Sequence, residues 1–149
     1  MDKEVFVESV KDSLSTKITA GKHHLIVDEL PEYGGTDLGP DPYDYILSSL
    51  GACTAITLHM YAKRKQWQLE KVEVLLTHKK NYLEDCIKCE EDDNAKLDYI
   101  HRKISVYGSL TTEQINRLEI IAQKCPVHKT LEAGITIKSA TYHSQSLAH

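Results

Sequence analysis

Alternation and helical spacing divide the chain into a β-rich start, one long helix and a mixed second half. β-branched residues with partial alternation fill residues 5–10 and 15–27. They predict two or three antiparallel strands, with Ala20-Gly21-Lys22 as a turn. Residues 31–42 hold three glycines and three prolines in twelve positions, so this stretch is a loop or flap and not a regular element. A helix follows. Asp41 is its N-cap, Pro42 its first position and Asp44 its N3 carboxylate. It runs to about Gln66, about 36 Å at 1.5 Å per residue, with Gly51 as its weak point. Ile46, Leu47, Leu50, Ala52, Ile56, Leu58 and Met60 cover most of its circumference, which predicts burial on more than one side of the first half. Lys63-Arg64-Lys65 is a solvated end that suits the helix dipole. A sheet covers only part of such a helix; a second subunit would cover the rest, and a homodimer is expected.

In the second half, residues 72–82 read as a strand with Val72, Val74 and Leu76 on one face. Residues 83–96 form an acidic excursion. Residues 99–107 alternate Ile100, Ile104 and Val106 against His101, Lys103 and Ser105, with a parity slip at Arg102 that allows a bulge. Thr111 or Thr112 caps a helix, and Gln114 completes a capping box with Thr111. Ile115, Leu118, Ile121 and Ala122 form its stripe, and Pro126 interrupts it. A short helix over 127–131 ends by Gly134, and a last strand is expected over 135–137. The tail from Ser139 to His149 has little to bury and frays.

Composition narrows the class. With 149 residues, 41% hydrophobic and 27% charged, the chain has enough for one globular domain over 1–149, its core at about 15–137. Eighteen basic against 22 acidic residues, a net charge of -4, argue against a nucleic-acid surface. No apolar run approaches the roughly 18 residues of a membrane span, so no membrane partner is expected. Met1-Asp2-Lys3-Glu4 does not begin like a signal peptide, and a reducing cytoplasm is the expected location.

The four cysteines are Cys53, Cys86, Cys89 and Cys125, too few for a disulfide scaffold. In a reducing compartment they are buried and inert, metal ligands, or redox-active. Cys53 in Leu50-Gly51-Ala52-Cys53-Thr54 reads as a small buried hydrophobe or a reactive thiol. Cys125, before Pro126, is equally open. Cys86-x-x-Cys89 reads as an oxidisable dithiol, as half a zinc site, or as a pair without a role. With Cys125 and His128 it nominally completes a Cys₃His set, although Cys125 cannot serve two sites. No cofactor and no metal are otherwise expected.

Gly34-Gly35-Thr36-Asp37-Leu38-Gly39-Pro40-Asp41-Pro42-Tyr43 and then Leu50-Gly51-Ala52-Cys53-Thr54-Ala55-Ile56-Thr57-Leu58 resemble the OsmC/Ohr superfamily of osmotically induced and organic-hydroperoxide-resistance proteins. Cys125-Pro126-Val127-His128-Lys129-Thr130-Leu131 is similar to its second cysteine motif. The likeness runs over roughly 15–137 and is closest to an OsmC-like branch. It implies an α+β fold, an antiparallel sheet packed on a long central helix, and an intertwined homodimer with sites near the subunit interface. It further implies a thiol-dependent peroxidase acting on small hydroperoxides. Cys53 resembles the peroxidatic residue and Cys125 the resolving one, with a dithiol or dihydrolipoyl-type reductant restoring the pair.

The activating groups depart from that pattern. Characterised relatives use an arginine from the N-terminal strands, held by a glutamate ten residues before the cysteine. Here that position is Tyr43, the nearest acid is Asp44, and the N-terminal strands offer Lys17, Lys22, His23 and His24 without an arginine. Lys22 or His24 is then the available cation, without guanidinium geometry. Asp44 lies nine helical residues from Cys53, about 13.5 Å away and half a turn round, so the two meet only if the helix bends or starts late. As a helix N-terminal carboxylate it needs no further role. Tyr33, Tyr43 and Tyr45 suit a hydrophobic peroxide or a packed core. His59, Tyr61, Trp67 and Tyr99 read as packing or interface residues. The alternative to the enzyme is a non-catalytic dimer that binds a small apolar ligand at the interface, with buried structural cysteines. A zinc-stabilised structural protein is the third option.

Overall fold

The computed structural model describes residues 2–80 and 98–144. Its elements are β1 (Phe6–Glu8), β2 (Thr16–Ala20), β3 (His23–Val27), α1 (Pro42–Lys65), β4 (Gln68–Lys80), β5 (Asp98–Ser109), α2 (Thr112–Ala122) and α3 (Pro126–Ala133), with a 3₁₀ turn at Pro31–Tyr33. The strands form two antiparallel sheets, β1-β2-β3 and β4-β5. The first sheet turns from Ala20 to His23 through Gly21 and Lys22, and Gly21 takes the positive φ that so tight a turn requires.

The predicted capping chemistry starts α1. Asp41 Oδ1 accepts the Asp44 N–H at 2.8 Å, and Asp44 Oδ2 accepts the Asp41 N–H at 3.1 Å. Gln66 ends the helix in the left-handed conformation, its N–H on the Lys63 carbonyl. The chain turns there directly into β4, which therefore begins at Gln68 and not at 72. Residues 81 and 82, placed in this strand by the sequence, and the excursion at 83–96 lie outside the described residues.

Leu50, Thr54, Leu58 and Ala62 recur every fourth residue and form the buried stripe of α1. They face β4–β5 and α2, where Leu58 joins Leu118, Ile121 and Ala122 in the core. Among the described residues of one chain the burial is on this side; Ile56 and Met60 are 58% and 68% exposed. Of the two sheets among the described residues only β4–β5 packs on the helix, which leaves its other side for the second subunit expected from the sequence. The other sheet stands at its N-terminal end, joined through the Asp28 N–H on the Pro40 carbonyl (3.1 Å) and the Tyr45 hydroxyl on the Ile26 carbonyl (2.7 Å).

Two further expectations are corrected. The irregularity in β4–β5 falls between Leu69 and Lys71, while Arg102 pairs in register with Leu76. Arg102 shares the inward parity of Ile100, Ile104 and Val106; an arginine occupies a core-facing position and no residue is inserted there. No ladder partner among the described residues pairs with 135–137, so no strand forms, and Ile137 is 82% exposed. The capping box of Thr111 and Gln114 forms as expected. Ile115 lies half outside the stripe, and α3 closes at Gly134.

Asp28 organises the loop before α1. Its buried carboxylate accepts N–H groups of Glu29 (2.7 Å), Leu38 (3.1 Å) and Thr36 (3.3 Å), and the Thr36 hydroxyl at 2.8 Å. The Glu29 and Leu38 amides hold its pKa below the usual carboxylate range. A depressed folded value stabilises the fold above the unfolded value of about 3.9 and loses that contribution as pH falls through the folded one. Asp28→Asn, which cannot accept on both atoms, is expected to melt several degrees lower at neutral pH. Its stability should also fall less steeply below pH 4 than the parent's, as read by thermal unfolding across that range.

Candidate functional site

The N-terminal half of α1 presents Tyr43, Ile46, Leu47 and Leu50 to a cavity of about 670 Å³. The opposite walls are the inward ends of β4 and β5, with His78, Ile100 and Arg102, and the facing sides of α2 and α3, with Gln123, His128 and Leu131. Tyr43 stacks on His78 with ring centroids 4.8 Å apart, and His78 Nε2 lies 3.5 Å from Asp98 Oδ2. Cys53 shares the helix face of Ile46 and Leu50, since residues three and seven apart lie on one face, but it is not among the residues that line the cavity. Cys53 is half-buried one turn beyond Leu50.

Cys125 is fully buried and caps α3: its Sγ accepts the His128 N–H at 3.3 Å. Pro126 sets the first helical position, so the cysteine is fixed at the point where the chain leaves α2. Helix α3 packs against α1.

Between the two cysteine-bearing segments lies Arg102. One guanidinium nitrogen donates to Thr54 Oγ1 at 3.0 Å, and the other meets His128 Nδ1 at 3.0 Å. The Thr54 hydroxyl gives its own proton to the Leu50 carbonyl at 2.7 Å, which leaves its oxygen free to accept. Thr54 follows Cys53 in sequence, and His128 lies one turn after Cys125. A fixed guanidinium thus ties the neighbour of one thiol to the helix capped by the other. Sequence reasoning looked for a cation in the N-terminal strands and missed this one. The available signal was a charged residue at the inward parity of an apolar strand.

The remaining candidates lie elsewhere. Asp44 stays in the capping box of an unbroken helix, so the bend that would bring it to Cys53 is not present. Lys22 and His24 are exposed on the β2–β3 hairpin. Gly51, the weak point of the helix by propensity, is a close packing point: a Cβ there would lie 2.7 Å from Leu76 Cδ1. Cys86 and Cys89 lie outside the described residues. At the far end of α1, Arg117 donates to the Tyr61 hydroxyl at 3.1 Å. That bond, with Lys65 and Arg64 nearby, holds the phenol below its usual range.

Residues 35–140 match the family model described as OsmC-like protein. No curated protein matches the sequence. The fold is shared with solved structures. An OsmC-like protein from Mycoplasma pneumoniae superposes with a TM-score of 0.69 at 19% identity, over 89% of this chain and 88% of that one. An organic hydroperoxide resistance protein OsmC from Legionella pneumophila gives 0.61 at 15% identity, over 88% and 89%. The organic hydroperoxide resistance protein OhrB of Bacillus subtilis gives 0.54 at 20%, over 87% and 90%.

Proposed function

Because the chain belongs to the OsmC-like protein family, we propose that it is a thiol-dependent peroxidase for small organic hydroperoxides. The observation that carries this reading is the Arg102 bridge between Thr54, beside Cys53, and His128, on the helix that Cys125 caps. A guanidinium supplies fixed donors where an oxygen anion develops. The Cys53 thiolate attacks one peroxide oxygen and the O–O bond breaks. The other oxygen takes a proton and leaves as the alcohol, and Cys53 is left as a sulfenic acid. The Cys125 thiol then attacks the Cys53 sulfur, water leaves, and a disulfide joins the two. An external dithiol, of dihydrolipoyl type, returns both thiols and is itself oxidised. The apolar and aromatic lining of the cavity suits a hydrophobic peroxide.

The active unit in this reading is a homodimer. Phe6 and Val7 on β1, Val5 and Val10 flanking it, and Ile56 and Met60 on α1 are all more than half exposed in the single chain, apolar surface that a second copy would cover. Light scattering at micromolar concentration is expected to give twice the chain mass; a stable folded monomer there rejects the intertwined architecture.

The direct test is peptide mass spectrometry after one equivalent of cumene hydroperoxide. A Cys53–Cys125 linked peptide is expected. The buried position of Cys125 and the apolar cavity favour a second reading, a dimer that binds a small apolar ligand and keeps structural cysteines. Both cysteines still reduced at tenfold excess of oxidant, in folded protein, would put that reading first.

A further inference from the structure

The contact between Arg102 and His128 has a chemical direction. A guanidinium nitrogen can only donate, so the Nδ1 it meets at 3.0 Å carries no proton. The ring proton is therefore on Nε2, the nitrogen 3.5 Å from Glu132 Oε1. A second proton would go to Nδ1. It would set two cationic donors against each other at 3.0 Å with no lone pair between them.

We propose that His128 is a positioning residue: its neutral, Nε2-protonated ring holds Arg102 against Thr54 on α1, and protonation of the ring releases the guanidinium. Release has two consequences, because Arg102 joins two helices. The donor leaves Thr54, the residue after Cys53, and α3 loses its tie to α1 through the strand. The cavity that His128 lines is shared by groups of both charges: Glu132 on its own helix, Glu119 on α2, Asp98 and Arg102 on β5, with His78 and Gln123. Arg102 makes the closer contact, 3.0 Å against 3.5 Å for Glu132. The effect on turnover rests on the peroxidase reading; the contact itself does not.

The experiment uses the full chain, with His128→Asn and His128→Leu. The asparagine carbonyl can accept from Arg102 but does not titrate; leucine can do neither. Nitrogen NMR of the parent is expected to show an unprotonated Nδ1 on His128 at neutral pH. On acidification, the Arg102 side-chain resonances should move with the same midpoint as His128. In His128→Asn they should stay fixed over that range, and in His128→Leu they should be displaced at every pH. Single-turnover oxidation of Cys53 by cumene hydroperoxide should lose one proton dependence on the acid side in His128→Asn relative to the parent. It should be slow throughout in His128→Leu. A protonated Nδ1 at neutral pH, Arg102 resonances that ignore His128, or an asparagine variant with the parent's pH profile overturns the proposal. Coupled titration of His128 and Arg102 in a parent that never oxidises Cys53 would instead support the latch and reject the peroxidase.

Discussion

Cys53→Ser is expected to bring peroxide consumption with a dithiol reductant down at least about a hundredfold, to the level of buffer, because a hydroxyl offers no thiolate to attack the O–O bond. The side chain is half-buried on an intact helix, and serine is nearly isosteric, so the fold should survive. Cys125→Ser should behave differently. Serine is a good N-cap and takes over the role of Sγ on the His128 N–H, so α3 should form normally. Cys53 in that variant should still consume one equivalent of peroxide, then oxidise onward to the sulfinic state, since no second thiol traps it. The peptide mass of Cys53, followed over time, separates the two variants. Turnover by Cys53→Ser at the parent rate would remove the chemistry from this residue.

Arg102→Met should lower the rate of the first oxidation by about 10²–10³-fold, the range seen when a fixed donor to a developing oxygen anion is removed. Methionine keeps the length and apolar stem of arginine at an inward position between Ile100 and Ile104. Its melting temperature should therefore change far less than its rate. Arg102→Lys should recover only part of the loss, because an ammonium cannot span Thr54 and His128 with two separate nitrogens. Equal rates for parent and Arg102→Met would show that the bridge has no part in peroxide cleavage.

The elements that local chemistry dictates were legible in the sequence. Asp41, Pro42 and Asp44 announce the start of α1, Thr111 and Gln114 that of α2, and Gly21 the turn between β2 and β3. What depends on facing elements was not. Gly51 looks like a weak point of the helix, and only the register of β4 shows Leu76 packed against it. Arg102 looks like a break in alternation because its partners lie 48 and 26 residues away in sequence, beyond any periodic window. The motifs around Cys53 and Cys125 marked the two segments that this arginine connects, but no spacing rule gives the connection. Ile135 and Ile137 carry strand propensity without a neighbouring strand to pair with, and pairing decides.

The first sheet has its own ladder but meets the rest of the chain mainly where β3 runs into the loop before α1. Its opening free energy is therefore not tied to that of the core. In a lone chain, amide hydrogens of β2 should exchange with solvent long before those at the centre of β5, which are held between β4 and the packed helices. If a second copy covers Val5, Phe6 and Val7, that gap narrows as protein concentration rises. Protection of a five-residue strand then becomes a local gauge of subunit association, readable without any measurement of size.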